Sequence, residues 1–236
     1  MASKPVALIL GAGPNLGASI ATSLAALGYR IATASRSGSG AIDPSTDILR
    51  LRADFTNPSS IPPLFTKIKE TFSTAPSVVI YNAANLTRPS DPTNPLSIPT
   101  ENFEKDLNVN TVSAYVAAQE AVKGWEALGS EGGNKTFVFT GNMLNQKVIP
   151  MPNFLTLGVG KSASAHWVGL ADQVFRGDEG KKWRFFYADQ RLPDGAPMMN
   201  GVNGAAHGDL YAQLVQHESD VPWLVTFVHD KGYVKF

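Results

Sequence analysis

The chain has no cysteine, and that one absence excludes disulfides, thiolate nucleophiles, iron–sulfur clusters and cysteine-based zinc sites. Histidine is scarce as well: there are four, dispersed along the chain, so no metal site is expected. Neither sign of charge is in excess, with Lys plus Arg and Asp plus Glu at twenty each. Without a basic field, neither nucleic acid nor an anionic membrane surface is an expected partner. Long hydrophobic runs are missing too. Pro5–Leu10 is too short for the apolar core of a signal peptide, and no stretch approaches the length of a membrane span. The triplets Asn85-Leu86-Thr87 and Asn134-Lys135-Thr136 would accept glycans only in a secreted protein, so they read as chance and a cytoplasmic location is the expectation.

What is present is 236 residues, 43% of them hydrophobic and 17% charged, a balance that suits one globular α/β domain spanning the whole chain, 1–236. Short apolar runs alternate with longer helical patterns, as in βαβ units around a parallel sheet. The runs are Val6–Leu10, Arg30–Ala34, Ile48–Ala53, Val78–Asn82, Thr136–Thr140, Trp183–Ala188 and Trp223–Val228. They predict a three-layer, doubly wound Rossmann fold on a seven-stranded parallel sheet. Between them, Leu16–Leu27 places Ile20, Ala21, Leu24 and Leu27 on one face and stops at Gly28. Glu101–Leu128 predicts one long helix with a stripe of Val109, Val112, Val116, Ala117, Ala121 and Trp125. Ser37–Asp47 and the proline-rich Asn85–Pro99 read as surface loops after strands, where open α/β sheets carry ligand contacts. Arg176–Lys182 reads as a charged, solvated turn.

Gly11-Ala12-Gly13-Pro14-Asn15-Leu16-Gly17 follows the first strand and opens the first helix. Gly11 allows a tight turn, the helix start offers unpaired N–H groups to a pyrophosphate, and Gly17 permits close helix–strand packing. The spacing, with Asn15 between Leu16 and the rest of the loop, resembles the phosphate loop of short-chain dehydrogenases/reductases. There Leu10 replaces a Thr and Asn15 a Gly, a position where Asn tolerates left-handed backbone geometry. The resemblance continues along the chain. Asp54, followed by Phe55, matches the acidic residue that contacts adenine; Tyr81-Asn82-Ala83-Ala84 matches the family's NNAG; Asn110 matches its helix Asn; and Lys161 falls where the family's lysine holds the nicotinamide ribose. Ser35-Arg36-Ser37 at the second strand's end has no carboxylate for a ribose 2′-hydroxyl, and a guanidinium suits a 2′-phosphate, so NADP(H) is the expected cofactor.

The resemblance breaks at the catalytic positions. The family places a Tyr four residues before the Lys, and here that position is Leu157; the family's Ser position holds Asn142. The implied tetrad is therefore Asn110, Asn142, Leu157 and Lys161. Loss of a general acid costs about 10²–10⁴-fold in rate. Replacement donors are sought at Tyr187, Asp189 and Arg191 near the sixth strand's end, with Tyr187 the first candidate. His166 points to another face of the lysine helix. Met198-Met199-Asn200, with Phe154 and Leu157, would line an apolar pocket.

Three functions stay open on this reading. One is an atypical NADP(H)-dependent reductase acting on an apolar, secondary-metabolite-like carbonyl or imine. Another is an isomerase, lyase or cyclase on the same scaffold, and the third is a catalytically silent nucleotide-binding protein. Resemblance also implies a small-molecule substrate and a homodimer or homotetramer.

Overall fold

The structure, a computed structural model, describes residues 4–129, 133–181, 183–217 and 220–236. Lys182 of the charged turn lies outside the described residues.

β1 (Val6–Leu10) is buried at every position, as a strand covered on both faces must be. β5 (Val78–Tyr81), β6 (Thr136–Thr140), β7 (Arg184–Gln190) and β8 (Leu224–Val228) follow the same logic, whereas β2 (Arg30–Ser35) is half-buried at Arg30, Thr33 and Ser35, and β4 (Ile48–Arg52) buries Leu49 and Leu51 while exposing Arg50 and Arg52. These seven run parallel in the order β4-β2-β1-β5-β6-β7-β8. Two short antiparallel strands extend the edges: β3 (Ala41–Asp43) beside β4, and β9 (Gly232–Tyr233) beside β8. Among the described residues the sheet thus has nine strands rather than seven, and part of the predicted Ser37–Asp47 loop is strand.

α1 (Leu16–Ala26) and α6 (Gly204–Gln216) cover one face, packing Ile20, Leu24, Leu210 and Leu214 onto Ile9, Ile80 and Phe186. α2 (Pro62–Phe72), α4 (Ser113–Leu128) and α5 (Leu155–Gly177) cover the other. The predicted Glu101–Leu128 helix is in fact α3 (Thr100–Leu107), a π-helical turn over Asn108–Val112, and then α4. Apolar periodicity runs through the break, which is why it is invisible in the pattern. Such π turns concentrate at functional sites.

Chain order reverses between β1, whose next strand β2 lies on one side, and β5, which pairs on the other. Ligands of open α/β sheets bind in the crevice at such a switch point, beyond the strands' carboxyl ends.

Candidate functional site

The glycine loop sits at that switch point. Gly11 has φ +96°, and a Cβ there would lie 2.5 Å from the Ala83 nitrogen; a Cβ on Gly17 would lie 2.6 Å from the Ala12 Cα. Gly13 differs, since a Cβ on it would meet nothing within 4 Å. Its exposed edge is open for approach by a ligand. α1 has no side-chain cap and no acidic residue in its first turn; its Ala18 and Ser19 N–H groups donate to the Gly13 and Asn15 carbonyls, which leaves those of Leu16 and Gly17 to an anion. Asn15 has φ −87°, so the loop closes without the left-handed geometry that Asn would tolerate. Its amide instead donates to the Val202 carbonyl at 3.0 Å, tying the loop to the chain before α6. Asn82 Nδ2 donates to the Gly11 carbonyl at 2.8 Å, and the Asn82 N–H to Leu10 at 2.7 Å. The two loops are thereby fixed side by side, with Ala83 against Gly11 and Ala84 beyond.

At the end of β2, Ser35 and Ser37 hydroxyls stand 3.3 Å apart and Arg36 is exposed. Asp54, also exposed, accepts from the Thr56 hydroxyl and N–H, and these bonds hold its carboxyl below the usual range, with Arg36 adding a smaller pull. Phe55 is buried beneath it.

Beside the glycine loop opens a cavity of about 370 Å³. Lys161 is 4% exposed, and its Nζ donates to the Thr140 carbonyl at 2.6 Å while lying 4.5 Å from the Phe139 ring centre. Burial pulls its pKa down to about 7, against the opposing pull of Asp189. Leu157, one turn earlier on α5, lines the same cavity with Phe154, Met198 and Met199. Asn142 also lines it; its Oδ1 accepts from the Leu144 N–H at 3.1 Å, which leaves Nδ2 as the free donor. An apolar groove of about 640 Å³ adjoins the cavity through the shared Leu144, Ile149 and Phe154.

Two expected catalytic residues have other work. Tyr187 is fully buried, donates to the Asn142 carbonyl at 2.8 Å and accepts from its N–H at 3.1 Å. Burial raises its pKa far above the usual phenol range, and it does not line the cavity. The structure thus corrects its assignment as proton donor: the phenol braces the Asn142 backbone. Asn110 is likewise off the cavity wall. Its side chain pairs with the Asn85 backbone, and Gly160 lets α5 approach it, since a Cβ there would lie 2.3 Å from the Asn110 Cβ. Arg191 is consumed by Asp189, Gly195 and Gln146. His166 is exposed on α5.

Asp189, Gln190 and His207 complete the cavity floor. Burial raises the pKa of the Asp189 carboxyl, and its Oδ1 has no hydrogen-bond partner among the described residues. Gln190 and His207 escaped the sequence reading because β7 and α6 meet only in the fold; the one local signal is Gln190's place at a strand's carboxyl end.

Residues 5–148 match the short chain dehydrogenase family. A protein of Cryptosporiopsis sp. (strain 8999), the short chain dehydrogenase/reductase dmxR12, is 37% identical over 247 residues, covering 99% of this chain and 96% of that protein. An NADPH-dependent 3-quinuclidinone reductase from Rhodotorula rubra shares the fold with TM-score 0.76 at 20% identity, covering 98% of this chain and 92% of its own. A metagenomic short-chain oxidoreductase in complex with NADP does so with TM-score 0.75 at 14% identity, covering 96% and 98%.

Proposed function

The chain belongs to the short-chain dehydrogenase/reductase family, and from that membership we propose that it is an NADP(H)-dependent reductase of an apolar carbonyl or imine. The observation that carries this reading is the open cradle at Gly13, where an uncapped helix start faces a cavity floored by Lys161. The residues fit a dinucleotide. Gly11, Gly13, Asn15, Leu16 and Gly17 would hold the pyrophosphate, Ser35, Arg36 and Ser37 a 2′-phosphate, and Asp54 and Phe55 the adenine side. Asn82, Ala83 and Ala84 would flank the far half, and Lys161, with two protons beyond the one given to Thr140, would reach the ribose. When bound, the cofactor supplies a hydride to the substrate carbon.

Of the tetrad Asn110, Asn142, Leu157 and Lys161, which lacks the family's tyrosine and serine, Asn142 and Lys161 supply the rest, with Leu157 as apolar lining. Asn142 Nδ2 donates to the substrate oxygen. Lys161 gives that oxygen one proton and is left a neutral amine, which regains its proton from solvent. A group with a pKa of about 7 suits this exchange at neutral pH. An iminium substrate would need no proton at all. Asn110 acts through the loop it clamps. The apolar groove beside the cavity supports a bulky substrate of secondary-metabolite type. Exposed Tyr115 on α4 and Leu170 and Val174 on α5 support a homodimer or homotetramer, and a cytoplasmic location belongs to the same reading.

Fluorescence titration with NADPH and NADH tests the reading. It predicts saturable binding with NADPH preferred, followed by NADPH consumption with members of a ketone and imine panel. Absence of NADPH binding overturns it; turnover without NADPH consumption replaces it with an isomerase, lyase or cyclase.

A further inference from the structure

Two cavity side chains take no part in the proposed chemistry. Gln190, the last residue of β7, is 5% exposed and, two residues after Ala188, turns to the α1–α6 face. Its Oε1 accepts from the Asn203 N–H at 2.8 Å, while its Nε2 has no hydrogen-bond partner among the described residues. His207, in the first turn of α6, is 1% exposed. Its Nδ1 lies 2.8 Å from the Asn203 carbonyl. A carbonyl only accepts, so Nδ1 carries the proton and Nε2 the lone pair. Burial lowers the ring's pKa to about 4, so at neutral pH this tautomer is uncharged. One residue therefore sets both groups, since Asn203 holds Gln190 by its N–H and His207 by its C=O, while its side chain caps α6 at the Ala206 N–H.

The result is a buried donor and a neutral acceptor in the wall that also holds Leu16 and Val202. Lys161 and Asn142 approach the same cavity from the α5 side. A buried donor without a partner is costly unless a ligand supplies one. A primary carboxamide has the complementary pair, one oxygen that accepts and one nitrogen that donates. We infer that Gln190 and His207 form a fork for such a carboxamide, Gln190 Nε2 donating to its oxygen and His207 Nε2 accepting from its nitrogen. Resting on the NADP(H) reading above, the group held is the carboxamide of the nicotinamide. Holding it on one side fixes which face of the ring turns to the substrate, so the fork also sets the stereochemistry of hydride transfer.

Calorimetric titration with three ligands tests the fork: NADP⁺, its 3-acetylpyridine analogue, which keeps the oxygen but replaces the amide nitrogen by a methyl, and 2′,5′-ADP, which lacks the nicotinamide. The wild type should bind NADP⁺ about three- to tenfold tighter than the analogue, the worth of one hydrogen bond. His207→Phe keeps the ring packing on Tyr211 and Phe227. It should weaken NADP⁺ to the level of the analogue and leave 2′,5′-ADP binding unchanged, and His207→Gln should recover part of the discrimination. Gln190→Glu retains the oxygen that holds Asn203 and removes the donor, so it should weaken NADP⁺ and the analogue alike while sparing 2′,5′-ADP. Equal wild-type affinity for NADP⁺ and the analogue overturns the fork alone. Binding of none of the three ligands by the wild type overturns the NADP(H) reading and the fork with it.

Discussion

The side-chain amide of Asn110 closes on the backbone of Asn85 from both ends, Oδ1 accepting from its N–H and Nδ2 donating to its C=O, each at 2.8 Å. Asp106 secures the same loop through the Asn85 amide and the Thr87 N–H. The segment that follows Asn82-Ala83-Ala84 is thus hung from the π turn between α3 and α4. Asn110→Ala leaves two backbone groups without partners, and its expected cost is about 1–3 kcal/mol. Urea unfolding measures it. Cofactor affinity should fall in parallel, since Asn82 and Ala83 abut the glycine loop; an unchanged unfolding midpoint would remove the clamp.

Glycines of the loop separate fold from ligand. Gly17→Val drives its side chain into Ala12 backbone and should abolish nucleotide binding. Gly13→Ala meets no protein atom, so its thermal midpoint should match the wild type while NADPH affinity drops about tenfold or more. Unchanged affinity in folded Gly13→Ala would place the pyrophosphate elsewhere.

Strands such as β1 and β5 were legible because burial on both faces leaves apolar residues in succession, and β4 because Leu49 and Leu51 alternate with the exposed Arg50 and Arg52. β3 and β9 were not: each has only two or three residues, partly exposed, and exists through its partner's edge. The loop glycines, Asn82 and Lys161 could be placed by counting from strand ends. Tyr187 could not be assigned that way, because whether its hydroxyl faces a ligand or the Asn142 backbone depends on how β7 packs beside the turn after β6. The roles of Gln190 and His207 depend on Asn203, distant from Gln190 in register and joined to it only by the fold.

Arg36 stands exposed at the end of β2 between two serines, and Asp54 is within its electrostatic reach. Arg36→Asp should reverse the preference from NADPH to NADH, with the NADPH affinity lowered by a factor of about ten or more. Equal affinities in both proteins, by fluorescence titration, would make Arg36 a surface residue only.

Burial of Lys161 also has a signature in stability. Its folded pKa, about 7, lies below that of the unfolded chain, so between pH ~7 and ~10.4 the unfolded state binds more protons. The cost of burying its charge is greatest below pH 7 and is relieved as pH rises through this window. The stability of the wild type relative to Lys161→Met should therefore increase from pH 7 to pH 10, measured by urea unfolding at each pH. A constant difference would mean that Lys161 keeps an ordinary pKa.

The most direct test of proton supply by Lys161 is the pH profile of kcat for NADPH-dependent reduction of a ketone taken by the wild type. The Asn142→Ser and Leu157→Tyr double variant, in which the hydroxyl and phenol share one substrate oxygen, and Lys161→Met are run beside it. Wild-type kcat should decline about tenfold per pH unit above pH 7 as the ammonium is lost, Lys161→Met should lose about 10²-fold or more at pH 7, and the double variant should gain rate. A wild-type profile flat through pH 7, with Lys161→Met still active and the double variant no faster than wild type, would contradict the account.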